Sequence, residues 1–193
     1  NRIVLFEAKG KWLRDDAVWS KKEKAYEKAL MDKYEIGLEQ LAKAVTGISK
    51  GSLKSDCLNF SECKKVFSVL VVYDSFFDIL GHSEFLHTEF EKKLPDCTKH
   101  SDGFLEILST EIFASPLIIM TSAALEVLET SCKDFDFIEL LSEYTQELNR
   151  SGRSFWEFLF LSKFGTLIRG SSLLAGFGVD LLTKTSKEIF HEN

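Results

Sequence analysis

Ile3-Val4-Leu5-Phe6-Glu7-Ala8-Lys9-Gly10 is the stretch on which the reading of the fold turns. Four apolar residues run straight into a Glu-x-Lys pair, and a glycine closes the run. An apolar run this short, bounded by a breaker, predicts a strand covered on both faces. Side chains alternate along a strand, so Ile3, Leu5, Glu7 and Lys9 share one face, and Val4, Phe6 and Ala8 share the other. The strand therefore ends with a carboxylate and an ammonium side by side. Two readings follow: an ion pair where the strand meets solvent, or part of a metal-dependent phosphodiesterase site.

The flanking sequence predicts an alternation of strand and helix. Tyr26, Leu30, Tyr34, Leu38, Leu41 and Val45 recur three or four apart and make one apolar stripe, which predicts a helix from about Ser20 to Val45. Thr46, Gly47 and Gly51 are expected to end it, with a loop over 47–64. Val66 to Asp74 is rich in β-branched and aromatic residues and predicts a second buried strand. Strand, long helix, strand is a crossover that makes the two strands parallel. Residues 84–94 predict a short helix ended by Pro95, and 103–113 fit helix or strand. Pro116 to Thr121 predicts a third strand, with Thr121 or Ser122 capping a helix over Ala123 to Cys132. Phe137 to Leu148 and Ser154 to about Lys184 predict further helix, the latter broken at Gly165, Gly170, Gly176 and Gly178.

The 193 residues suffice for one domain, or one domain with a helical appendage. Seventeen phenylalanines point to a large aromatic core or a buried interface. The formal net charge of -6 argues against a general nucleic-acid binder. The charge is uneven: residues 1–54 hold 12 Lys/Arg against 8 Asp/Glu, and residues 55–193 hold 12 against 22. The basic excess of the first section lies beside the Glu-x-Lys strand, where it would draw a polyanion. Cys57, Cys63, Cys97 and Cys132 lack zinc-site spacing and fit reduced thiols in a cytoplasmic protein. Arg169, Asp180 and several glycines interrupt the late apolar stretch and make it a poor membrane span.

Phosphodiester hydrolysis needs an oriented water, neutralised charge on phosphorus and a stabilised leaving oxygen. Magnesium or manganese held by carboxylates can supply these. Glu7 would be one such ligand, and the Ala8 carbonyl a second. Lys9 would orient the water or stabilise developing charge. Lys11, Arg14, Lys21 and Lys22 are the candidate contacts to a phosphate backbone, and Trp12 and Trp19 are expected to pack rather than stack on bases. His82 and His87, five apart, are expected at the surface. No nucleophile elbow and no Gly-rich phosphate loop with Lys-Ser/Thr is present.

A buried strand ending in Glu7-Ala8-Lys9, a following helix with Gln40, and another buried strand resemble the restriction-endonuclease-like, or PD-(D/E)xK, nuclease superfamily. The resemblance covers roughly residues 1–74. It implies a magnesium- or manganese-dependent cut in DNA, less often RNA. Glu7 and Ala8 would be metal ligands, Lys9 catalytic and Gln40 supporting. It also implies an α/β fold: a partial core with a mixed sheet and crossover helix over 1–132, then a mainly helical section over 133–193 packed on it. The family's other essential carboxylate, an upstream aspartate, has no counterpart here, and Asp15, Asp16 and Asp74 do not stand in its place. It is expected in an N-terminal segment or a separate chain that completes the fold, and a homodimer is one arrangement. The alternative function is a catalytically inactive interaction module on the same type of fold. The run Phe155-Trp156-Glu157-Phe158-Leu159-Phe160, too apolar for a free surface, would then be core or a protein interface.

Overall fold

In the computed structural model, which describes residues 1–10, 23–55, 58–73, 83–108, 110–131 and 136–165, the opening stretch is a strand at the sheet's edge. β1 (Arg2–Lys9) pairs in parallel with β2 (Lys65–Val72), Glu7 opposite Leu70 and Lys9 opposite Val72. β2 pairs in parallel with β5 (Phe113–Thr121) on its other side. β4 (Leu105–Ile107) runs antiparallel to β5, and β3 (Cys97–Lys99) antiparallel to β4. The order is β1-β2-β5-β4-β3, a mixed five-stranded sheet.

The expectation that β1 is covered on both faces is corrected. Its residues are half-buried or exposed, and Phe6 is 50% exposed. Ile3 and Leu5 pack on the core beneath the first helix; on the reverse face Val4 packs in part on the second core and Phe6 meets Phe137 at a ring separation of 6.2 Å, but the cover is incomplete on both sides. β2 and β5 are the strands covered on both faces, as their apolar sequences demand.

The first helix, α1 (Glu23–Ser49), connects β1 to β2. Its 27 residues make it roughly 40 Å long at 1.5 Å per residue, enough to run the length of the sheet. Leu30, Tyr34, Leu38, Leu41, Val45 and Ile48 are all buried, so the apolar stripe is the packed face. The helix passes through Thr46 and Gly47, which were expected to stop it. Ile48 belongs to the same stripe, and the left-handed turn comes only at Gly51 (φ 64°).

α2 (Glu84–Lys93) ends two residues before Pro95, because Leu94, the residue preceding the proline, avoids the helical region. Leu94 is accordingly extended. His87 of this helix, expected at the surface, has both ring nitrogens shut off from solvent. Burial pushes its pKa down to about 4, with Lys99 adding to the effect and the Leu117 backbone opposing it. The ambiguous 103–113 stretch forms β4 and a turn into β5.

β5 starts at Phe113, three residues before the expected start at Pro116. A proline cannot donate to a ladder, so inside a sheet it needs an irregularity. The register shifts there: Val66 faces Ala114, but Ser68 faces Leu117. The Ser68 N–H donates to the Ser115 hydroxyl at 3.0 Å, and that hydroxyl donates to the Pro116 carbonyl at 2.7 Å. A side chain thus closes the gap that the bulge opens.

Helices α3 (Ser122–Ser131), α4 (Phe137–Ser151) and α5 (Phe155–Leu161) cover the reverse face. The Ala124 N–H donates to Thr121 Oγ1 at 3.2 Å, so Thr121 is the capping residue at the start of α3. Asp136 caps α4, and Ser154 with Glu157 forms a capping box on α5. Phe155, Phe158 and Leu159 are buried among Phe67, Met120, Leu141 and Tyr144. The aromatic run is therefore core. Two layers of helix enclose one sheet, and α4 and α5 supply part of the second layer rather than standing apart from it. The remainder of the expected C-terminal helix, 166 to about 184, lies outside the described residues, as do all of 166–193.

Candidate active site

Glu7 and Lys9 stand at the C-terminal end of the parallel part of the sheet, the end where open α/β sheets bind ligands. Alternation puts both on the face toward α1. Their side chains converge: Lys9 Nζ lies 2.6 Å from Glu7 Oε1, and each side chain is 22% exposed. Neither is free in solvent and neither is sealed from it.

Gln40, 31 residues further on, comes to the same place from α1. One end of its amide lies 2.9 and 3.3 Å from the two Glu7 oxygens and 3.3 Å from Lys9 Nζ. With oxygen at that end, the amide accepts from Lys9 but confronts both carboxylate oxygens. With nitrogen there, it donates to the carboxylate and gives up the longer Lys9 contact. The second orientation is physically preferred, because it replaces acceptor–acceptor repulsion with charge-assisted hydrogen bonds. Glu7 is then held from both sides, by an ammonium from its own strand and an amide from the helix.

Gly37, one turn before Gln40, is where the strand's side chains cross the helix. A Cβ there would lie 2.8 Å from Lys9 Cε, 3.3 Å from Glu7 Cγ and 3.4 Å from Leu70 Cδ1. A lone glycine in a helical pattern carries no periodic signal. The sequence cue was its place three residues before Gln40, on the same side of the helix.

The donor set suits magnesium only in part. Magnesium is commonly held by one or two carboxylates together with phosphate oxygens and water. Glu7 offers one carboxylate and Ala8 a backbone carbonyl on an exposed stretch of β1. Among the described residues no group of three His, Cys, Asp or Glu side chains could hold a metal. Asp15, Asp16 and Asp74 lie outside the described residues, as do Lys11, Arg14, Lys21, Lys22, Trp12, Trp19 and His82.

A second feature, absent from the sequence reading, is a groove of about 610 Å3 between α1 and α2. Lys43, Lys50 and Lys93 line it with Glu39, whose carboxylate pairs with Lys43 at 3.4 Å and Lys93 at 3.6 Å. At 100° per residue it lies about a quarter-turn round α1 from Gln40. Among the described residues, no helix is long and apolar enough to cross a membrane.

The chain is thus an α/β protein with a mixed sheet and a Glu-Lys-Gln cluster at the end of its edge strand, and no family model, curated protein or solved structure matches it.

Proposed function

We propose that the chain carries part of a metal-dependent phosphodiesterase site that acts on nucleic acid, DNA or less often RNA, in the manner of the restriction-endonuclease-like nucleases. The observation that supports it most is the meeting of Glu7, Lys9 and Gln40 from two elements. A strand-end ion pair needs no third residue brought in from a helix 31 positions away.

Magnesium or manganese bound at Glu7 and the Ala8 carbonyl would neutralise charge on the phosphoryl group. Gln40 fixes the Glu7 carboxylate in one orientation through its amide. Lys9 donates hydrogen bonds and carries a positive charge within reach of the same point, so it can align a water or stabilise an anionic phosphorane. The alternative, an inactive interaction module, draws on the lack, among the described residues, of a group of carboxylates that could hold a metal, and on the exposed residues of β1. It loses the support of Phe155, Phe158 and Leu159, the buried part of the aromatic run, while Trp156 and Phe160 stay half-buried.

The test is plasmid and single-strand cleavage by the full-length protein with magnesium or manganese against EDTA, with Glu7→Ala alongside. The expected result is metal-dependent cutting that Glu7→Ala abolishes without unfolding the chain. Equal cutting by the variant would remove Glu7 from the chemistry. No cutting, with no metal uptake by calorimetry, would favour the interaction module.

A further inference from the structure

We propose that Gly37 is a positioning residue: its missing side chain forms the seat that holds the Lys9 ammonium against Glu7. The inference rests on the reading above for its functional meaning, but its geometry stands independently. Glycine is the least favoured helix residue after proline, and Gly37 sits mid-helix at a buried position between buried Tyr34 and Leu38. Nothing in the helix itself calls for glycine there. The reason lies across the interface, in Lys9 Cε at 2.8 Å from where a Cβ would be.

The consequences of adding that Cβ are unequal. Glu7 Cγ at 3.3 Å and Leu70 Cδ1 at 3.4 Å need only small adjustments. Lys9 Cε is far inside contact distance, and it is the flexible end of a chain with solvent within reach. Lys9 is therefore what moves, and the helix stays. Gly37 and Gln40 act as a pair one turn apart on α1. Gln40 grips the carboxylate, and Gly37 leaves room for its counter-ion.

Thermal melts of the full chain decide the seat. Gly37→Ala is compared in the native background, in Lys9→Ala and in Lys9→Met. Without the lysine stem, Gly37→Ala should raise Tm by about 2–4 °C, the ordinary gain of alanine over glycine in a helix. In the native background and in Lys9→Met, which keeps the stem, that gain should vanish or reverse. An equal gain in all three backgrounds would overturn the proposal. A second readout is turnover of nucleic acid with magnesium. Gly37→Ala should lower kcat at least tenfold and leave KM within twofold, since the ammonium is displaced and the binding surface is not. A native kcat in Gly37→Ala would also overturn it. If the native chain does not cut, the nuclease reading alone fails, and the melts still settle the seat.

Discussion

Glu7 and Gln40 are coupled through hydrogen bonds that the Gln40 amide donates to the carboxylate, and that coupling is measurable apart from any activity. Gln40→Ala should cost about 0.5–1.5 kcal/mol, and little of that cost should remain in a Glu7→Ala background. A double-mutant cycle in urea checks it, and strict additivity would mean that the two side chains do not interact. His87 makes a second residue-scale prediction. Burial holds its folded pKa near 4, against 6.5 in the unfolded chain. Between those values the unfolded chain takes up a proton that the folded chain refuses. Stability should therefore fall as pH drops from about 6.5 to 4, by on the order of 3 kcal/mol, and this residue should contribute no pH dependence above that window. Urea midpoints at pH 7 and 4.5 for native protein and His87→Leu test it, and the variant should lose less on acidification. The facing of Glu7 and Lys9 was legible, because strand alternation is local, whereas Gln40 was a candidate only through the family resemblance. Gly37 and the burial of His87 were not legible, because both depend on what another element places opposite.

At the scale of elements, the helix caps follow their sequence signals, while the end of α1 and the strands depart from them in instructive ways. Ser154 caps α5 through the Glu157 N–H, and the Glu157 side chain accepts from the Ser154 N–H at 3.0 Å. Ser154→Ala should lower stability by about 1 kcal/mol, read as a Tm fall of a few degrees. The bulge in β5 is a more stringent case. Ser115→Ala removes the acceptor for the buried Ser68 N–H, and leaving that group unsatisfied should cost about 1–3 kcal/mol. Ser115→Thr, which keeps a hydroxyl, should recover part of the loss in the same denaturation experiment. The strand's start at Phe113 was hidden by Pro116, since a proline reads as a boundary unless the partner strand's register is known. The apolar run of β1 likewise showed that its side chains seek cover, but not from how many sides it comes.

Across the whole molecule, the alternation of strand and helix foretold an α/β architecture, and the sheet is mixed as expected. The position of β1 at the edge was not legible, because strand order is set by pairings between segments far apart in sequence. That position has a measurable effect. Among the described strands β1 has a neighbour on one side only, and Phe6 on it is half exposed; such an edge invites pairing between molecules. Phe6→Lys should reduce self-association at high protein concentration, as followed by light scattering, while the far-ultraviolet circular dichroism stays native. Unchanged scattering would show that the edge is already protected. The three parallel strands also bear on how quickly the chain can fold. β1 and β2 are joined across about sixty residues and β2 and β5 across about fifty, and the sole hairpin among the described strands is the short β3–β4 pair. No central pairing can form by local zippering. The nascent sheet must wait for β5 to emerge from the ribosome before β2 has both neighbours, and until then one edge of that apolar strand stays unpaired.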